Sequence, residues 1–283
     1  MMTAEIISGT EIAQQLRSQL LTEINSLADQ NIVPGLAVVL VGDNSASRTY
    51  VKNKQKACET LGIESRLIEM EETATEEQLL QVIKELNSDP AIDGILIQLP
   101  LPSHIDETKV IESISPEKDV DGFHPINIGR MMTGQDCFLP CTPFGIIKMF
   151  ESINYSLAGK HVVVVGRSNI VGKPMGQLCL NRNATVTYCH SKTPDLKKFT
   201  TQADVVISAV GKTGLITKEH IKDGAVVIDV AMNRNENGKL CGDVLFDEVK
   251  EKASYITPVP GGVGPMTITM LLYNTVQSAK AKR

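Results

Sequence analysis

Tryptophan is absent from the 283 residues, and aromatic residues together make up only 4%. Single-stranded nucleic acids are held largely by bases stacked on aromatic rings, so this inventory argues against that class of partner. A basic surface is missing too. No basic arm or long Lys/Arg run occurs, and 28 basic residues face 33 acidic ones for a net charge of −5. That is the wrong sign for tracking nucleic-acid phosphates or anionic lipid. No apolar run approaches the roughly 18 residues a membrane helix needs. The opening Met1-Met2-Thr3-Ala4-Glu5-Ile6-Ile7 has no basic segment ahead of an apolar one, and does not read as a signal peptide. Cys58, Cys137, Cys141, Cys179, Cys189 and Cys241 are scattered without a CxxC pair, which predicts free, mostly buried thiols and a cytoplasmic protein. The histidines show no metal-ligand spacing.

What is present is ordinary for a globular protein: 42% hydrophobic and 22% charged residues, over a length that suits two domains. β-branched runs alternate with amphipathic stretches, the pattern of parallel α/β architecture. Strands are predicted at 36–41, 66–70, 94–99, 161–165, 184–189, 204–209 and 225–230, with a short one near Tyr255. Capping-box patterns at Ser8/Glu11 and Thr75/Gln78 open two helices. Further helices are expected at 45–61, at 144–152, from Pro174, and from Pro265 to about Ala279. The predicted division is 1–140 and 141–265, with the last helix, about 266–283, folding back onto the first domain.

Val162-Val163-Val164-Val165-Gly166-Arg167-Ser168-Asn169-Ile170-Val171-Gly172-Lys173-Pro174 reads as strand, glycine turn and helix start. Such a turn aims backbone N–H groups and a helix N-terminus at a phosphate. The G-x5-G spacing is neither the dinucleotide fingerprint nor a P-loop, so a plain tight βα turn fits equally well. The next strand is more informative. NAD-binding folds place a carboxylate at its end for the ribose 2′-hydroxyl; here it reads Cys189-His190-Ser191-Lys192. Ser191 can bond a 2′-phosphate and Arg167 can balance its charge, which favours NADP over NAD. A merely solvated basic surface is the alternative.

In the first half, Tyr50 and Lys54 stand four apart on a predicted helix and share a face. Burial can turn a lysine into a proton-transfer group, yet most helical lysines are solvated, and Lys52 and Lys56 stand beside this one. Gln98 lies at the carboxyl end of a strand, where ligands collect in open α/β sheets. Asp121 follows in Lys118-Asp119-Val120-Asp121-Gly122-Phe123-His124-Pro125. Its carboxylate can accept two parallel N–H bonds from an aminopyrimidine, or it can simply cap the Gly122 turn. His124 reads as a loop hydrogen-bonder.

Seven blocks, in order along the chain, resemble the methylenetetrahydrofolate dehydrogenase/cyclohydrolase family. They are Tyr50-Val51-x-x-Lys54-x-Lys56; Gly94 to Pro102 around Ile97-Gln98-Leu99-Pro100; the Lys118 to Pro125 run; Pro140-Cys141-Thr142-Pro143; Val165 to Met175; His190-Ser191-Lys192-Thr193; and Thr257 to Thr267 around Pro260-Gly261-Gly262-Val263-Gly264-Pro265. The resemblance implies an N-terminal α/β catalytic domain, a C-terminal Rossmann-type NADP-binding domain, a folate cleft between them, and a homodimer. It implies oxidation of 5,10-methylenetetrahydrofolate with NADP, then hydrolysis of the methenyl product to 10-formyltetrahydrofolate. Lys54 becomes the central catalytic group, tuned by Gln98; Tyr50 orients the folate and Asp121 anchors its pterin edge. Gly262 and Pro265 form a substrate wall. Gly166, Arg167, Ser168, Ser191 and Met232 contact the cofactor. One departure stands out: Val230-Ala231-Met232-Asn233 replaces the family's usual Val-Gly-Ile-Asn, so Ala231 must hold a negative φ or bear strain.

Overall fold

The computed structural model describes residues 3–282. In chain order the elements are β1 (Glu5–Ile6), α1 (Gly9–Ala28), β2 (Gly35–Val41), α2 (Ser45–Leu61), β3 (Glu64–Met70), α3 (Glu76–Ser88), β4 (Gly94–Ile97), α4 (Glu107–Ser113), α5 (Pro125–Thr133) and α6 (Cys141–Ser152). There follow β5 (His161–Val165), α7 (Gly172–Leu180), β6 (Thr185–Cys189), α8 (Leu196–Thr200), β7 (Val205–Ser208), β8 (Val226–Asp229), β9 (Asn233–Arg234), β10 (Leu240–Cys241), α9 (Phe246–Val249), β11 (Tyr255–Ile256) and α10 (Val263–Ala281). They fall into two compact units, each made of two stretches of chain.

One unit comprises Gln15–Cys141 and the chain from Ile268 onward. Its parallel sheet has the order β3-β2-β4. All seven residues of β2 are buried, which is why its sequence is a continuous apolar run rather than an alternating one. Leu79, Ile83 and Leu86 of α3 pack with Ala37, Val39, Ile95 and Ile97 in a single core cluster. Local chemistry fixes the helix ends. Asn44 Oδ1 accepts from the amides of Ala46 and Ser47 to open α2, and Gly62, at φ 75°, closes it. Thr75 and Gln78 cap α3 reciprocally. The last helix joins this unit through buried polar contacts: Asn274 Nδ2 donates to the Val120 carbonyl at 2.8 Å and Ser278 Oγ to that of Asp93 at 2.7 Å.

The other unit comprises the chain up to Gln14 and Thr142–Thr267. Its sheet, β1-β11-β8-β7-β5-β6, is parallel throughout. The order reverses at β5, with β6 on one side and β7 on the other, which makes the carboxyl ends of β5 and β7 the topological switch point. Here the structure departs from a first domain running 1–140. Glu5 and Ile6 pair with Tyr255 and Ile256, so the first strand belongs to the second unit's sheet. A two-residue strand carries too little periodicity to announce its partner.

Candidate active site

In the unit built on β2, α2 carries Tyr50 and Lys54 and β4 leads into Gln98. Of the lysines at 52, 54 and 56, only Lys54 is buried, at 9% exposure. Its Nζ donates to Gln98 Oε1 at 3.1 Å. Gln98 is held in turn, because its Nε2 donates to the Leu99 carbonyl at 2.8 Å and its backbone N–H extends the ladder to Val39. That anchoring leaves the amide oxygen facing the ammonium. Burial raises the Asp121 carboxyl, against the pull of the Lys54 charge and a hydrogen bond with the Cys141 thiol. Tyr50, one turn before Lys54, is half-buried, and burial raises its phenol.

The alternative role for Asp121, capping its own turn, belongs to a different residue. Asp119 is 2% exposed and accepts from the amides of Phe123 (3.2 Å) and His124 (2.8 Å) and from Asn127 Nδ2 (2.8 Å). Burial nevertheless pushes its carboxyl up to about 6. With Asp119 organising the turn, the Asp121 carboxylate is left for Lys54 and Cys141. His124 is a structural hydrogen-bonder: Nδ1 accepts from the Ile126 amide to open α5, which leaves Nε2 as donor to the Glu112 carbonyl.

In the second unit, the turn after β5 is built for close backbone approach. Gly166 has φ 133°, and a Cβ there would lie 2.5 Å from the Ala209 carbonyl oxygen. A Cβ on Gly172 would meet the Gly166 carbonyl at 2.5 Å. Ser168 Oγ accepts from the amides of Val171 and Gly172, both at 3.2 Å, shaping the start of α7. Arg167 and Ser191 stand exposed at the carboxyl ends of β5 and β6, and among the described residues no hydrogen bond or ion pair engages either side chain. A glycine turn beside an unpaired guanidinium and hydroxyl, with no carboxylate on Cys189-His190-Ser191-Lys192, fits a dinucleotide bearing an extra phosphate.

Met232 is 44% exposed, with its sulfur 3.7 Å from where a Cβ on Gly264 would sit. It therefore neighbours the segment that carries Gly262 and Pro265. The close packing at Gly262 has an internal cause, since a Cβ there would lie 2.4 Å from the Pro258 carbonyl oxygen. Ala231 is not among the residues with positive φ, and its amide donates to Asp229 Oδ1 at 3.3 Å, so the departure from glycine is accommodated without strain.

Comparison with known proteins decides the family. The catalytic-domain profile of tetrahydrofolate dehydrogenase/cyclohydrolase matches residues 7–121, and the NAD(P)-binding-domain profile of the same family matches residues 140–283. This chain belongs to the tetrahydrofolate dehydrogenase/cyclohydrolase family. It is 65% identical over 279 residues to the bifunctional protein FolD of Bacillus anthracis, covering 99% of this chain and 98% of that one. The solved FolD dehydrogenase/cyclohydrolase of Campylobacter jejuni superposes with a TM-score of 0.98 at 49% identity, over 99% of this chain and 100% of that one. The Trypanosoma brucei FolD, solved with NADP cofactor and an inhibitor, gives 0.96 at 38% identity over 100% and 99%.

Within this dehydrogenase/cyclohydrolase chain, reading the sequence missed the buried carboxylates that organise the loops near the candidate site, Asp119, Asp229 and Asp243 among them. Asp119 hides in the same run as Asp121, and only the density of backbone donors around it separates their roles. Asp229 accepts from the amides of Ala231, Asp243 and Val244, and burial pushes it up to about 6. Asp243 is fully buried. The one signal for this pair was an acidic residue closing an otherwise apolar strand, Val226-Val227-Ile228-Asp229.

Proposed function

We infer that this chain oxidises 5,10-methylenetetrahydrofolate to the methenyl form with NADP and then hydrolyses that product to 10-formyltetrahydrofolate. The observation that carries the reading is the buried Lys54 Nζ, 3.1 Å from an anchored Gln98 Oε1 and coupled to Asp121. Both reactions act on the same bridging carbon of the folate, so one set of side chains can serve them. Asp121 accepts the paired N–H groups of the pterin's aminopyrimidine, and Tyr50 orients the ring system. Lys54, aimed by the Gln98 amide oxygen, moves protons at the water that adds to the methenyl carbon and at the nitrogen released when the ring opens. Bound NADP supplies the hydride acceptor for the oxidation. Arg167 and Ser191 hold its 2′-phosphate, while Gly166 and Ser168 set the turn that receives the pyrophosphate. A part for Gly262 and Pro265 in holding substrate rests on the family resemblance alone. A cytoplasmic homodimer belongs to the same reading and rests on the family resemblance.

The test is a spectroscopic time course with 5,10-methylenetetrahydrofolate and either NADP or NAD. Methenyl product should appear faster with NADP and then vanish faster than its spontaneous hydrolysis. Methenyl product that accumulates would reduce the chain to a dehydrogenase, and no turnover from folded protein would reject the enzyme reading.

A further inference from the structure

We propose that Asp243, which lies outside the quoted cofactor motifs, is a positioning residue for the NADP nicotinamide: it consumes the amides of the loop after β7 and thereby turns that loop's carbonyls outward as acceptors. Asp243 is fully buried and takes five donors. Oδ2 accepts from Ser208 Oγ (2.9 Å) and the amides of Val210 (2.9 Å) and Gly211 (3.3 Å). Oδ1 accepts from the Lys212 amide (2.6 Å) and Asn233 Nδ2 (3.1 Å). One carboxylate thus ties the loop after β7 to the loop after β8 that bears Met232. Asp229 fixes it in place by accepting from the amides of Asp243 and Val244 at 3.0 and 2.9 Å. A Cβ on the intervening Gly242 would collide with the Asp229 carboxylate, 1.9 Å away, so this buried pair also explains that glycine.

Position and direction give the arrangement its function. The loop after β7 flanks the switch point, in contact with the turn after β5 through Gly166 and Ala209. Three successive amides directed at one anion normally make a phosphate cradle, but here the protein's own carboxylate fills it. Because peptide N–H and C=O point oppositely across a planar trans bond, the carbonyls of Ala209, Val210 and Gly211 turn away from Asp243. Val210 and Gly211 are exposed, and among the described residues no donor reaches either carbonyl. The open Val210 and Gly211 carbonyls, with their own amides spent, fit a ligand group with N–H to give. A nicotinamide dinucleotide has two, the adenine amine and the carboxamide. Because β7 lies across β5 from the Ser191 end of β6, where the adenosine 2′-phosphate is assigned, the carboxamide is the one that falls here.

The inference rests on NADP binding by this unit, so the experiment separates the two. Calorimetric titration of the whole protein with NADP comes first; a wild-type chain that binds no NADP overturns the proposal together with the reading beneath it. Given wild-type binding, Asp243→Asn places an amide donor against a ring of donors. The Kd and KM for NADP should rise at least tenfold, with methenyl hydrolysis, measured without cofactor, held within twofold. An unchanged Kd, or hydrolysis lost in parallel, overturns the positioning role. If that variant does not fold, Asn233→Ala cuts only the link between the loops and should raise the Kd about threefold; no change overturns the proposal. The 3-acetylpyridine analogue of NADP, which lacks the carboxamide N–H, should bind wild type about tenfold more weakly than NADP, and equal binding would overturn the carbonyl contact.

Discussion

The two units handle their polar chemistry in opposite ways. Around Lys54, the groups assigned to the reaction are buried or half-buried, with Lys54 hydrogen-bonded to a Gln98 fixed at both ends of its amide and its charge pulling on the Asp121 carboxyl. Around the β5 turn, Arg167 and Ser191 are exposed and, among the described residues, unpaired, while the buried polar groups hold backbone instead. A proton-transfer site needs side chains held in place before substrate arrives, since misplacement of about an ångström erodes rate. A cofactor site can leave its charges solvated, because the ligand's phosphate brings the partner.

That contrast is broken most severely at Lys54. Lys54→Met should lower the rate of methenyl hydrolysis by about 10³-fold, within the range for losing a general acid–base group, while NADP titration gives the wild-type Kd. An equal loss of cofactor affinity would erase the separation between the units. Asp121→Ala should act on folate recognition, raising the folate KM about 10- to 100-fold, as expected for losing a charge-assisted pair of about 1.5–3 kcal/mol. Steady-state kinetics with saturating NADP would check this. Arg167→Ala should weaken NADP about tenfold yet leave NAD and the hydrolysis nearly untouched; parallel losses for both dinucleotides would assign Arg167 to the pyrophosphate instead.

The last effect is read on stability instead of kinetics and concerns Asp119, whose burial raises its folded carboxyl to about 6 from an ordinary 3.8. The unfolded chain therefore releases this proton first as pH rises. Asp119 contributes stability that is fully present below about pH 4 and lost by about pH 6, worth about 2–3 kcal/mol by linkage. Asp119→Asn should flatten that part of the stability curve in denaturant titrations between pH 4 and 6. An unaltered slope would show that Asp119 titrates as an exposed acid does.

Much of this was legible in the sequence, for identifiable reasons. β2 and β5 announce themselves because strands buried on both faces are uninterrupted apolar runs, and α2 and α3 because their caps are local. The second unit's parallel sheet follows from the alternation of such segments, while its Rossmann-type character came with the family resemblance. α4 and α5 were missed: they are short, with few buried positions each, and α5 is opened by a histidine rather than a common cap. At the site, spacing alone could not separate Lys54 from Lys52 and Lys56, because burial is set by what packs above the helix. Nor could it separate Asp121 from Asp119. Their difference lies in the direction of the amides of Phe123 and His124, which the fold of the turn determines.

The opening strand has a consequence for anyone dividing this protein. Ala4, Glu5 and Ile7 donate to the carbonyls of Lys250, Ser254 and Ile256 at 2.7, 2.8 and 2.9 Å, covering the outer side of β11. A polypeptide begun near residue 140 would match the nucleotide-binding profile in sequence, yet leave those acceptors bare along a sheet margin. Bare margins recruit strands from other molecules. Such a fragment should self-associate, and grafting residues 3–14 onto its far end through a flexible tether should restore a soluble particle. The inheritable piece here is a sheet, and its first strand is encoded more than a hundred residues before the rest.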